Sequence, residues 1–153
     1  MTQLSRNRIL ASRFAALALV AYAMHFAWEM AQARFFATMQ SLPFWRATAW
    51  CARAAGWDVL IEFVAYSAAV LIVRDVRWPR SPRLLPSLIF IGAGLTITVA
   101  LERWALQTTR WHYAPEMPTI AGLGLLPLLQ WIVIPLAFLL TAKLMFAKGS
   151  PQR

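Results

Sequence analysis

Charge, and acidic charge above all, is what this chain has least of. Six Asp and Glu stand against fifteen Lys and Arg in 153 residues, and charged side chains make up 14% of the total against 60% hydrophobic. Too little polar material remains to coat a water-soluble globule, which leaves the bilayer as solvent. The single cysteine, Cys51, excludes an internal disulfide and a cysteine-rich metal site, leaving a free thiol or a bridge to another chain. Only two histidines are present, His25 and His112, and no Glu-x-x-His pair accompanies them. The ligand spacing of carboxylate-bridged metal bundles is therefore missing, and haem has little to hold it. Internal repeats, heptad arrays and low-complexity tracts are also absent. A net charge of +9 would suggest nucleic acid in a soluble protein. Here the basic residues sit beside the ends of apolar runs, where membrane orientation and anionic headgroups account for them, so no nucleic-acid partner is expected.

Long apolar runs are what the chain does have. Phe14 to Ala31 is interrupted only by His25 and Glu29, Ala54 to Val73 only by Asp58 and Glu62, while Leu84 to Leu101 and Ile120 to Ala142 carry no charge. Each run approaches or exceeds the roughly 18 to 20 residues that a helix needs to span the hydrocarbon. The expected fold is all-α: a polytopic membrane protein forming a four-transmembrane-helix bundle in one integral membrane domain over residues 1–153. The spans are expected at about 14–33, 54–73, 84–106 and 120–146. Arg6 to Ala23 has the basic lead and small residues of a signal peptide, but the apolar character continues through Trp28, so a non-cleaved first span is expected. Arg34 to Arg53 mixes Phe35, Phe36, Phe44, Trp45 and Trp50 with arginines, which suits an interfacial segment between helices 1 and 2, broken near Pro43. The loop from Arg74 to Arg83 reads as a tight hairpin, with Trp78 at the interface.

With alternating spans, Arg6, Arg8, Arg13, Arg74, Arg77, Arg80, Arg83, Lys143, Lys148 and Arg153 fall on the side of both termini, against Arg34, Arg46, Arg53, Arg103 and Arg110 on the other. The positive-inside rule then expects both termini in the cytoplasm and, for a bacterial cell, the inner membrane. Five of the six acids, Glu29, Asp58, Glu62, Glu102 and Glu116, consequently belong to the outer half. Ionisable side chains within a membrane are costly and mark functional sites by default.

His25 and Glu29 are four residues apart, as are Asp58 and Glu62, so each pair shares a helix face. Tyr22 extends the first stripe and Tyr66 the second. Gly94, Thr98 and Glu102 form a third stripe, and Gln130 lies within the last span. Catalytic candidates are Glu29, Glu62, Glu102, His25 and Asp58, since an acid that keeps its proton beside one that has lost it is the pairing general acid–base chemistry uses. Tyr22, Trp28, Tyr66, Thr98, Trp104, His112, Tyr113 and Gln130 are candidates for lining a binding pocket. The competing interpretation treats these polar groups as interhelical glue, with Arg34, Arg53, Arg103 and Arg110 neutralising the carboxylates.

The stretch Glu102, Arg103, Trp104, then Arg110, Trp111, His112, Tyr113, then Met117, Pro118, Thr119, Ile120, Pro127, Gln130 and Trp131 resembles a segment of membrane carotenoid hydratases and cyclases. The glycine-rich part of that pattern is missing between Glu102 and Tyr113. The layout of His, Glu and Trp over four short spans is similar to that of emopamil-binding sterol isomerase-like proteins. Both resemblances imply protonation of isoprenoid double bonds within the bilayer. The expected function is binding of a lipid or isoprenoid-like molecule in an outer-leaflet polar pocket, with isomerase, hydratase or cyclase chemistry if the protein is an enzyme. No cofactor is expected. The alternatives are a non-catalytic accessory subunit of a larger membrane complex or a homo-oligomer, and an intramembrane metal-binding protein using His25, Glu29, Asp58, Glu62, Glu102 and His112.

Overall fold

Four helices carry the apolar runs, and each is long and apolar enough to cross a membrane. The computed structural model describes residues 3–147. Of the basic residues placed above, Lys148 and Arg153 lie outside the described residues, as does the side chain of Arg6. Helix α1 (Gln3–Gln32) is followed by a 3-10 turn (Ala33–Phe35) and the short α2 (Ala37–Gln40). Helix α3 (Phe44–Val73) and a 3-10 turn (Trp78–Arg80) lead to α4 (Leu84–Gln107), then to strands β1 (Thr119–Ile120) and β2 (Leu123–Gly124), and finally to α5 (Leu125–Ala147). Helix α1 packs on α3 and α5, and α4 packs on the same two. Sequence neighbours are thus antiparallel neighbours in space, giving an up-down-up-down square.

The second span begins ten residues before the expected boundary, at Phe44 rather than 54. Pro43 occupies the N-cap position (φ −56°, ψ 146°), where a missing N–H costs the helix nothing. The proline therefore starts a helix instead of breaking an interfacial segment. At 30 residues α3 is about 45 Å long, well beyond the roughly 30 Å hydrocarbon core, so its first turns project past the bundle. Phe44 and Trp45 are exposed there.

What remains of the interfacial segment, residues 33–43, is pinned to the loop after α4. Phe36 bridges Tyr113, the Ala37 N–H donates to the His112 carbonyl (2.9 Å), and the Ala114 N–H donates to the Phe35 carbonyl (2.8 Å). The re-entry into α5 is a two-stranded hairpin pairing Thr119 with Gly124 and Ile120 with Leu123. Its loop residues Ala121 and Gly122 both have positive φ (50° and 78°), the signature of a type I′ turn.

At the opposite end, Trp78 departs from its expected interfacial place. It is buried, stacked on Tyr66 (6.2 Å) and edge-on to Phe90 (5.8 Å), in a cluster with Ala65, Ala69 and Leu139. The Tyr66 hydroxyl donates to the Val76 carbonyl (2.7 Å) and ties this loop down. The loop is therefore a plug for the bundle's Arg-rich end.

Candidate functional site

The square bundle turns the two stripes read from the sequence toward each other, with α5 supplying the group between them. His25 is fully buried at the centre and packs on the ring of Trp131 (5.6 Å). Its Nδ1 lies 3.0 Å from Gln130 Nε2 and 3.6 Å from Asp58 Oδ2, and its Nε2 lies 3.4 Å from Glu62 Oε2. Gln130 Nε2 also donates to Asp58 Oδ2 (2.9 Å). Gln32, which the sequence reading passed over, completes the arrangement: it donates to Glu29 (2.6 Å) and to Gln130 Oε1 (3.3 Å) and accepts from the indole of Trp28 (3.2 Å).

These contacts have a direction. An indole N–H can only donate, so it holds the carbonyl oxygen of Gln32 toward itself and sends the Gln32 amide nitrogen toward Glu29 and Gln130. Gln130 must then present its oxygen to Gln32 and its NH₂ to Asp58 and His25. With an N–H facing Nδ1, neutral His25 accepts there and carries its proton on Nε2, facing Glu62. Four helix positions on α1, two on α3 and one on α5 thus fix which imidazole nitrogen holds the proton.

Glu62 is the exception to this satisfied network. It is 4% exposed, and neither of its carboxylate oxygens has a hydrogen-bond partner; His25 Nε2 has none either, because the 3.4 Å approach is not well aligned. Leaving such groups unpaired away from water is expensive. Beyond Glu62 lies a cavity of about 300 Å³, lined by Leu17, Ala18 and Ala21 of α1, Val59, Phe63 and Tyr66 of α3, and Phe138 and Phe146 of α5. The pocket expected in the outer half is therefore displaced. The amide network occupies the bundle interior on the Glu29 side of Glu62, and this cavity lies on the other side, toward the Arg-rich loop.

Glu102 belongs to a second cluster. It accepts from the hydroxyl of Tyr113 and from the indole of Trp111 (3.4 Å), and the Tyr113 oxygen in turn accepts the Gly124 N–H (2.9 Å). Burial pushes the Tyr113 phenol above its usual range, and donation to Glu102 pushes it further, so it stays a donor. This cluster closes the loop end of the bundle. Thr98 is buried one turn along α4 from Glu102.

Other candidates stand apart from both clusters. Tyr22 is 37% exposed and donates to the Ala52 carbonyl (3.2 Å), and Trp104 is 49% exposed beneath the Arg110 guanidinium (5.1 Å). His112 is exposed and acts through its backbone, its N–H donating to Thr38 Oγ1 (3.1 Å). Tyr66 lines the cavity while anchoring the loop. Among the described residues no group of three or more His, Cys, Asp or Glu is arranged to hold a metal ion.

Three of the four arginines expected to neutralise the acids lie over aromatic rings instead. Arg34, Arg53 and Arg110 lie over Phe35 (4.7 Å), Trp50 (3.9 Å) and Trp104 (5.1 Å). Among the described residues the one Arg–carboxylate ion pair is Arg83 with Asp75, and the remaining close approaches of a basic side chain to an acid are those of His25 to Asp58 and Glu62. Among the intramembrane carboxylates, Glu29 and Asp58 accept from amides and Glu102 from an indole and a phenol. Compared with models of known families, with characterised proteins and with solved structures, the chain yields no match.

Proposed function

We propose that this integral membrane protein binds a lipid or isoprenoid-like molecule in the cavity between α1 and α3 and exchanges a proton with it through the His25 and Glu62 pair. One observation carries the reading: a buried carboxylate with both oxygens unpartnered lines a cavity whose other helix-borne walls are apolar save Tyr66, with Arg77 and Arg80 on the loop after α3. Most polar groups nearby have been given partners by the fold, and Glu62 has been left facing the space. Its neighbour His25 holds its Nε2–H toward Glu62 through Gln130, so the carboxylate formed when Glu62 gives its proton to the ligand, or consumed when it takes one from it, has a donor beside it. Proton transfer to or from an alkene or similar group is the chemistry that fits an apolar chamber with one acid–base pair. Asp58 and Glu29 act through Gln130 and Gln32 as positioning residues.

The test uses Glu62→Gln, which keeps shape and hydrogen-bonding capacity but removes the ionisable proton. Extracts of native membranes are supplied to the purified protein, and conversion of extracted lipids is followed by mass spectrometry. The variant is expected to fold and to retain bound lipid while turnover falls on the order of 100-fold or more, the usual worth of general acid or base catalysis. Unchanged conversion by a folded variant would overturn the role given to Glu62.

A second reading, an accessory subunit of a larger complex, is favoured by one feature. The start of α3 presents Phe44, Trp45 and Trp50 at 78%, 66% and 48% exposure, and Trp57 follows further along the helix at 61%. Such a ladder suits either the headgroup layer or a neighbouring chain. Stoichiometric co-purification of one membrane protein in mild detergent, lost on Trp45→Ala with Trp50→Ala, would favour it.

A further inference from the structure

The cavity has two chemically different ends, and together they specify what enters it. At its closed end is Glu62; at its other end are Arg77 and Arg80, both lining residues on the loop that follows α3. Arg80 lies over the ring of Phe146 at 4.5 Å and Arg13 over the same ring at 5.7 Å, so three guanidinium groups gather at this mouth. The one acid on this side of the bundle, Asp75, is already paired with Arg83 at 2.9 Å. The mouth therefore carries uncompensated positive charge beside an apolar chamber. We infer that the occupant is a single-chain amphiphile with a phosphate-like anionic head, its head held by Arg77 and Arg80 and its chain reaching inward to Glu62.

This rests on the proposed function and adds the head, the chain number and the direction of access. At about 300 Å³ the cavity lies at the small end of the range for ligand pockets, which suits one chain better than two. Helix geometry sets the reach. Eleven residues separate Glu62 from Val73 at the end of α3, about 16 Å along the axis, so the reacting part of the ligand lies that far from its head. Arginine suits the head because its planar fork binds phosphate oxygens in pairs. Phe146 holds the Arg80 guanidinium by its face and leaves the N–H edge free to bind.

The experiment measures thermal unfolding of the full chain in phosphatidylcholine nanodiscs with added dodecyl phosphate, dodecanol or inorganic phosphate. Dodecyl phosphate is expected to raise the midpoint by several degrees, dodecanol by less, and inorganic phosphate not at all. In Arg77→Gln with Arg80→Gln the advantage of phosphate over alcohol is expected to vanish, while Arg74→Gln, outside the cavity lining, should preserve it. Ala18→Trp, which fills an exposed wall position, should abolish both effects. Equal shifts from phosphate and alcohol in the unaltered protein, or loss of the advantage in Arg74→Gln as well, would overturn the anionic head and leave the cavity reading standing. A full shift from inorganic phosphate alone, or from discs of phosphatidylglycerol, would overturn the single-chain assignment. Insensitivity to Ala18→Trp would overturn the cavity reading together with this inference.

Discussion

At the residue scale the molecule solves an electrostatic problem without spending its arginines on it. Asp58 and Glu29 sit beside amide donors whose orientation is dictated from Trp28, one group after another. Gln130 is the hinge of this arrangement, because it faces Asp58, His25 and Gln32 at once. A single interhelical hydrogen bond in a membrane contributes on average only ~0.6 kcal/mol, so three of them make about 2 kcal/mol the expected loss for Gln130→Leu. Unfolding in a denaturing detergent measures it, and a loss below about 0.5 kcal/mol would show that the network does not hold the helices. His25, Glu29, Asp58, Glu62 and Gln130 were legible because four-residue spacing and antiparallel packing are properties of sequence and topology alone. Gln32 carried the same signal, lying four residues after Trp28 and three after Glu29, yet a lone glutamine at a span's end looks like interfacial polarity until its partners are placed. Trp111 could not be found this way, since its contact with Glu102 depends on a loop whose path the sequence leaves open.

At the element scale, one contact sets how closely α4 and α5 approach. Trp131 packs against Gly94, and a Cβ on that glycine would meet ring atom Cε3 at 2.0 Å. Gly92, two positions away in the same helix turn, has nothing within 4 Å. Overpacking a well-fitted interface typically costs about 1–3 kcal/mol, and Trp131 cannot retreat without moving from His25. Gly94→Ala is thus expected to lower the unfolding midpoint and to reduce bound lipid, whereas Gly92→Ala should match or slightly exceed the parent because alanine favours the helix. Equal stability of the two variants would remove the close approach from the account. The stripe of Gly94, Thr98 and Glu102 was visible in the sequence, but its partner was not. Nor was the early start of α3, because a proline that ends one element and a proline that begins the next are identical in sequence. What distinguishes them is the docking of residues 33–43 onto the loop at 111–114, a long-range pairing with no local pattern.

At the scale of the whole molecule, the two faces of the bundle differ in charge and in what they close. One face carries Arg74, Arg77, Arg80, Arg83 and Lys143, with the cavity mouth among them; the other carries the paired loops and the Glu102 cluster. On the expectation from the positive-inside rule that the first face is cytoplasmic, the proposed ligand would be drawn from the cytoplasmic side and processed near mid-membrane. The only cysteine makes this easy to check. Cys51 is 3% exposed, with its thiol directed at the Glu29 carbonyl at 3.6 Å, so it should stay silent toward a charged maleimide in the folded protein. Against that silent background, Ser81→Cys and Glu116→Cys report the two faces, both positions being exposed loop residues outside the helices. In intact cells an impermeant maleimide should label Glu116→Cys and leave Ser81→Cys unlabelled until the membrane is opened. The reverse pattern would place the arginine mouth outside the cell. The cavity chemistry would be untouched, but its ligand would then have to come from the outer leaflet.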